Sequence, residues 1–240
     1  MSEKVRVLGV QFDNVTMAEA VEAAYALQGE RRAAYVVTPN PEIVMRCRED
    51  PAVAEAVAGA SLTIPDGIGV IYGARILKTP LKEKVGGCDF SQALLARMEA
   101  DGRSVFLLGS KPGVAEQAAE NLGKRFPGLR FVGTNDGYFK DDGPVVEKIN
   151  AAAPDFLMVC LGAPKQELWM HRNAPALNVG LMIGAGGSLD VFAGVAERAP
   201  EKWQRANLEW LYRLLKDPKR IGRMMSLPKF MLTVLFKREK

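Results

Sequence analysis

The chain has 240 residues, 48% apolar and 25% charged, with a formal net charge of +4, enough for one large domain or one domain with an appendage. Three widely spaced cysteines (Cys47, Cys88, Cys160), no CxxC and a single histidine, His171, argue against a zinc cluster and for a reducing compartment. The opening MSEKVRVLGVQFD has no long apolar run after a basic start, so it does not read as a signal peptide, and no stretch reaches the ~18 apolar residues that span a bilayer.

Taken in order, VRVLGVQF (5–12) reads as a strand. MAEAVEAAYALQ (17–28) reads as a helix, with Thr16 as N-cap and Glu19 completing a capping box. AAYVVT (33–38) is a strand, PEIVMRCREDPAVAEAVAGA (41–60) is helical with an interruption near Pro51, and SLTIPD (61–66) is a strand ending in a turn. Helical and strand patterns then alternate: SQALLARMEADG, SVFLLGS, GVAEQAAENLGKRF, LRFVGT, VVEKINAA, FLMVCLG, KQELWMHRN and VGLMIGAG. This rhythm predicts an α/β fold, a Rossmann-like, mostly parallel sheet with helices on both faces. The alternation stops after Ala196. The expected organisation is therefore an α/β core over 1–195 and a basic helical appendage over 196–240.

In such sheets ligands sit beyond the carboxyl ends of the strands, and the unusual residues of this chain collect there. LLGSKPG brings Gly109 and Ser110 to a strand-to-helix turn where a phosphate could approach, although it is neither GxGxxG nor a P-loop. GAGGSLD offers Gly186, Gly187 and Asp190 in a second such turn; close helix–strand packing would also explain its glycines. LGAPKQELW puts Lys165 and Gln166 at a helix start, where a cation opposes the helix dipole unless a ligand uses it. IPDGIGV places Asp66 at a strand end, as a helix N-cap or as a general base. VVTPNPE holds Thr38, Asn40 and Glu42 around two prolines, for a ligand or simply to start a helix. His171 reads as structural. No DxD triplet is present to hold a divalent metal, so a sugar nucleotide would need the protein's own cations. No metal and no cofactor is expected.

The ordered set TPNPE, IPDGIG, GGCDF, LLGS, GYF, LGAPKQE, GAGGSLDVFAG, RAP and LEWLYRLLKDPKRIGR resembles the WecG/TagA/CpsF family of bacterial glycosyltransferases, from about Val5 to the end. The resemblance implies transfer of a sugar from a UDP-sugar to a polyprenyl-diphosphate-linked acceptor, with inversion and without a metal. For the best-described members it implies N-acetylmannosamine added to lipid-linked N-acetylglucosamine in wall teichoic acid synthesis. Asp66 matches the proposed base, Thr38 the polar residue beside it, Asn40 a substrate contact and Gln166 a pocket residue. Arg213, Arg220 and Arg223 match tail arginines thought to fold over the site. Lys84 stands where an arginine is usual, supplying charge without a planar fork. GTNDGYF, with Asn135 and Asp136, replaces the more usual HHGYF.

Two other classes compete. A Rossmann oxidoreductase lacks its GxGxxG and its acid about twenty residues after the first turn. A non-catalytic membrane- or nucleic-acid-binding module would leave the polar strand ends without a role. No nucleic-acid partner is expected; a homo-oligomer is left open.

Residues 210–240 carry nine Lys and Arg against two acids, +7, which leaves −3 for residues 1–209. Such asymmetry points to an anionic partner. The expected arrangement is peripheral, on the cytoplasmic face of the cell membrane. Met224, Met225, Leu227, Phe230, Leu232, Val234, Leu235 and Phe236 would enter the lipid interface among lysines that meet anionic headgroups, with the helix breaking or bending at Pro228.

Overall fold

The computed structural model describes residues 3–28, 33–218 and 221–236. Its N-terminus departs from the single strand expected over 5–12. β1 (Lys4–Val7) and β2 (Val10–Asp13) form an antiparallel hairpin with Val7 opposite Val10. Leu8 and Gly9 between them have φ of 48° and 94°, the left-handed pair that a two-residue hairpin turn requires. Leu8 is buried, so packing selects this residue, and its apolar character hides the turn.

The remaining strands are β3 (Ala34–Val37), β4 (Leu62–Thr63), β5 (Ser104–Gly109), β6 (Arg130–Asn135), β7 (Phe156–Cys160) and β8 (Leu181–Gly184). They form one six-stranded sheet in the order β4-β3-β8-β7-β5-β6, parallel throughout. Successive side chains take opposite faces. Val37, Phe106, Leu108, Leu157 and Val159 enter one apolar layer, whereas Val36, Val105, Leu107, Phe156 and Met158 enter the other. The first layer is covered by α2 (Pro41–Glu49), α3 (Pro51–Ala58) and α8 (Lys165–Asn173). The second is covered by α1 (Met17–Leu27), α5 (Gly87–Glu99) and α6 (Val114–Arg125). The expected capping box of α1 is present: Glu19 N donates to Thr16 Oγ1 at 3.3 Å and Thr16 N to Glu19 Oε2 at 2.8 Å. α7 (Gly143–Ala152) and α9 (Ser188–Phe192) complete the alternating body.

A helix outside the runs read as helical begins where an N-cap at Asp66 would have started one. α4 (Ile68–Ile76) follows β4, and its glycines, one turn apart, form a flat face. A Cβ at Gly69 would stand 2.7 Å from Leu227 and one at Gly73 2.7 Å from Phe230. That face receives the last helix of the chain.

After Ala196 the chain forms α10 (Glu201–Arg205), α11 (Glu209–Lys216), α12 (Ile221–Met224) and α13 (Ser226–Phe236). The helical path is interrupted at Met225 rather than at Pro228. Pro228 lies in the first turn of α13, where its missing amide leaves no helical bond unmade. α13 packs on α2 and α4 and sends Phe230 and Val234 fully into the core. Those two side chains, expected in lipid, are core residues instead, because the 3.6-residue period turns positions four apart onto the docked face. Leu232, Leu235 and Phe236 point outward at 54%, 52% and 82% exposure. Among the described residues no helix is long and apolar enough to cross a membrane.

Candidate active site

The carboxyl ends of β4, β3, β8 and β7 lead into loops that enclose a cleft of about 310 Å³ together with α11 and the α12–α13 segment. Thr38, Asn40, Asp66, Lys84, Gln166, Gly186, Gly187, Arg213 and Arg223 all line it. They come from residues as far apart as 38 and 223, so the fold, not local sequence, brings them together.

Asp66 is positioned from both sides. Its backbone N–H donates to Pro39 O at 3.2 Å. Gly67, with φ of 86°, then turns the chain into α4 and is itself the N-cap residue. The Asp66 side chain is therefore free of α4, and its Oδ2 accepts from Gly87 N at 3.4 Å, at the start of α5. Burial pushes its carboxyl above the usual carboxylate range. Gly87 N, Arg213 and Lys84 pull it back down, and the like charge of Glu209 raises it further. A carboxylate held in this way can accept a hydroxyl proton, which is the requirement for a general base. Thr38 stands beside it, donating from Oγ1 to Gly184 O at 3.3 Å. A Cβ on Gly87 would lie 3.2 Å from that hydroxyl, so Asp66, the threonine and the start of α5 form one tight corner.

Asn40 has the helix-capping role weighed against it. Its side-chain carbonyl accepts from Ile43 N at 3.1 Å at the N-cap of α2, with Pro41 at the first position, and the residue still faces the cleft. Gln166 is held by two bonds: its Oε1 accepts from Gly186 N at 2.9 Å and its Nε2 donates to Glu167 Oε1 at 3.0 Å. Gly186 is thereby fixed at the cleft wall.

Four expected residues lie outside the cleft lining. Gly109 has φ of 133°, and a Cβ there would meet Cys160 O at 2.3 Å; the glycine serves close packing of the β5 and β7 ends. Ser110 donates its N–H to Cys160 O at 3.2 Å and accepts from Gly137 N at 2.9 Å. Lys165 donates to Gly137 O at 3.1 Å and stands 5.1 Å from the Phe139 ring centre. These three tie the neighbouring corner to the GYF loop. There, Asp136 Oδ1 accepts from Tyr138 N at 2.7 Å and Asn135 Nδ2 donates to Asp136 O. Asp190 accepts Val195 N and Ala196 N through its backbone carbonyl, each at 2.9 Å, and closes the turn after α9. Arg220 lies outside the described residues. His171 pairs its Nδ1 with the Tyr35 hydroxyl at 3.0 Å, away from the cleft lining, in keeping with a structural role.

The sequence reading did not single out Glu167, Arg198 or Glu209 as site residues, yet all three line the cleft, as does Glu42. Arg198 and Glu209 belong to the RAP and LEW motifs, and only the fold brings them to the cleft. Glu42 chelates the Arg223 Nε through both oxygens at 3.0 and 3.1 Å. Glu167 is buried, its Oε2 has no hydrogen-bond partner among the described residues, and burial pushes its carboxyl up to about 7. Arg198 Nη2 bonds Asp89 Oδ2 at 2.5 Å. Among the described residues, the cleft thus sets the Asp66 carboxyl beside four cations, Lys84, Arg198, Arg213 and Arg223.

The model of the glycosyl transferase WecG/TagA/CpsF family matches residues 5–240. The chain belongs to this glycosyltransferase family. It is 37% identical over 206 residues to the N-acetylglucosaminyldiphosphoundecaprenol N-acetyl-beta-D-mannosaminyltransferase of Bacillus spizizenii, covering 86% of this chain and 80% of that protein. It is 39% identical over 235 residues to the protein of the same name from Staphylococcus aureus strain MW2, covering 96% and 92%. The match to the family reaches the end of the chain, so α10–α13, with Arg198, Glu209, Arg213 and Arg223, lie within the family unit.

Proposed function

We propose that the protein transfers N-acetylmannosamine from a UDP-sugar to a polyprenyl-diphosphate-linked N-acetylglucosamine, with inversion at the transferred carbon. The observation that carries this reading is the placing of Asp66 in one cleft with Lys84 and Arg213. Asp66 takes the proton of the acceptor hydroxyl as that oxygen attacks the sugar's anomeric carbon. The bond to the UDP oxygen breaks from the opposite face, and the departing diphosphate gains negative charge. Lys84 and the cleft arginines meet that charge; guanidinium groups do so in a fork, an ammonium as a point charge. The counter-charge thus comes from the chain, so transfer proceeds without a divalent metal. The relatives' names carry the acceptor and the sugar to this chain as a proposal. The basic tail and the outward residues of α13 support work at the anionic face of a membrane, where the acceptor lipid resides, and the polymer in view is wall teichoic acid.

The test is a panel of UDP-sugars with a short-chain lipid-linked N-acetylglucosamine, with and without EDTA, read by mass spectrometry. The expected product carries one added N-acetylhexosamine, from UDP-N-acetylmannosamine only, at a rate unchanged by the chelator. No product from any UDP-sugar would overturn the donor assignment, and loss with EDTA restored by magnesium would overturn the metal-free mechanism.

A further inference from the structure

Arg223 reaches the cleft from the tail, and Glu42 reaches it from the body. Both Glu42 oxygens accept from a single atom, Arg223 Nε, at 3.0 and 3.1 Å. Among the described residues neither Nη of Arg223 has a hydrogen-bond partner. The outer nitrogens carry all the remaining donors of a guanidinium, and here they stand unbonded at the cleft wall. The Arg223 backbone is held as well: its carbonyl accepts from Ser226 Oγ at 2.6 Å, across the break at Met225. Its side chain is half exposed, and so long a side chain samples many rotamers unless its head is fixed. Glu42 supplies the fixed point. It stands in the first turn of α2, behind Pro41 and the Asn40 cap, where a helix N-terminus favours negative charge, and its side chain is only 16% exposed. The docking of the tail does not depend on this pair. Lys229 pairs with Glu49 on the same helix, and Phe230 and Val234 are fully buried.

We propose that Glu42 is a positioning residue for Arg223, fixing the guanidinium by its Nε and so presenting both Nη atoms to a diphosphate in the cleft. That the diphosphate is the donor's rests on the UDP-sugar reading; the aiming of Arg223 does not. The other cations of the cleft are also ion-paired, Lys84, Arg198 and Arg213 with Glu209 and Arg198 with Asp89 besides. Directed donors, rather than a surplus of charge, are therefore what Arg223 contributes. A guanidinium engages two phosphate oxygens only when its fork is turned to them. Holding it in that attitude beforehand removes an ordering cost from binding. The two roles open to Glu42 have opposite signs. As a mere counter-charge it would weaken anion binding, and its removal would tighten it. As a positioning residue it strengthens binding, and its removal loosens it.

The experiment uses the full chain, the substitutions Glu42→Gln, Glu42→Asp and Arg223→Ala, and the double variant Glu42→Gln/Arg223→Ala. Binding of inorganic pyrophosphate is measured by calorimetry, alongside kcat/KM for transfer and the melting temperature. Glu42→Gln keeps the shape of the side chain and removes the charge that holds Nε. It is expected to bind pyrophosphate about tenfold more weakly than wild type. Arg223→Ala should show a similar loss and the double variant no further loss, since Glu42 acts only through Arg223. Glu42→Asp, with the carboxylate on a shorter arm, should recover part of the affinity, and kcat/KM should follow the same order. The melting temperature of Glu42→Gln should stay near wild type, because the Lys229–Glu49 pair and the buried residues of α13 still dock the tail. Pyrophosphate bound by Glu42→Gln as well as by wild type, or more tightly, overturns the proposal, whatever the melting temperature does. Losses that add in the double variant overturn it too. The expected pyrophosphate pattern, found while UDP-sugars fail as donors for the wild-type protein, upholds the aiming of Arg223 by Glu42 and refutes the donor assignment alone.

Discussion

Asp66 and Glu167 are both acids of one cleft, and their surroundings set them different tasks. Among the described residues Asp66 accepts only the long bond from Gly87 N, and it faces Lys84, Arg213 and Glu209. Asp66→Asn is expected to lower turnover by about 10²–10⁴-fold, the usual worth of general acid–base catalysis, while UDP binding measured by calorimetry stays near wild type. Because burial raises the Asp66 carboxyl, the rate should rise with pH through a midpoint above the ordinary carboxylate range, as the base must be ionised to act. Turnover equal to wild type in Asp66→Asn would remove Asp66 from the mechanism. Glu167 carries a different consequence. Its carboxyl titrates near 7 when folded against an ordinary value of 4.5, so between those values the unfolded chain ionises while the folded chain holds its proton. Stability therefore falls as pH rises from about 4.5 to about 7 and then levels off. The loss is on the order of 3 kcal/mol for a shift of this size. Glu167→Gln removes the titration and can keep the contact with Gln166, so its melting temperature should fall less than that of wild type between pH 5 and pH 8. Parallel curves for the two proteins would show that Glu167 is ionised in the fold. Asp66, Thr38 and Gln166 could be picked from the sequence because each stands in a short motif at a strand end. Glu167 and Glu209 could not, since their significance lies in what surrounds them in space.

At the scale of elements, the alternating pattern made most strands and helices legible: β3, β5, β7 and β8 are apolar runs buried on both faces, as a parallel sheet demands. Two elements escaped for physical reasons. The β1–β2 turn uses a buried leucine where turn chemistry would favour a polar residue or glycine. α4 carries two glycines, poor helix formers, and it is stabilised by the distant α13 helix, whose Leu227 and Phe230 cover them. The docking of α13 also divides its apolar residues into two sets. Phe230→Ala should destabilise the protein by about 3–5 kcal/mol, the cost of emptying a buried phenylalanine site, read as a lower denaturant midpoint. Replacing Leu232, Leu235 and Phe236 with serine should leave that midpoint near wild type and weaken binding to vesicles containing anionic lipid. Activity on a soluble acceptor should persist. Unchanged vesicle binding in the triple variant would assign the outward face of α13 to something other than lipid.

For the whole molecule, the charge asymmetry and the fold concern the same segment. The +7 of residues 210–240 belongs to a segment that supplies Arg213, Arg223 and Leu227 to the cleft and Phe230 and Val234 to the core. We therefore propose 1–195 and 196–240 as a functional division, body and closing segment, that share one apolar core. Deleting residues from Ala196 onward removes Arg198, Glu209, Arg213 and Arg223 from the cleft and bares the glycine face of α4. Both transfer and stability are then expected to fall, the first below detection and the second by several kcal/mol, since two fully buried side chains leave together. Arg223→Ala separates the two effects. Its bond to Glu42 is half-exposed on the arginine side, and pairs of that kind contribute about 0–1 kcal/mol, so the melting temperature should hardly change. On the proposed transfer, activity should drop markedly, because the guanidinium would be lost from where a departing diphosphate gains charge, and Arg223→Lys should restore only part of it, an ammonium lacking the fork. Wild-type transfer by Arg223→Ala would show that the Glu42–Arg223 pair serves only to fasten the tail, and wild-type transfer and melting by the truncated chain would show that the tail takes no part in the site or the core.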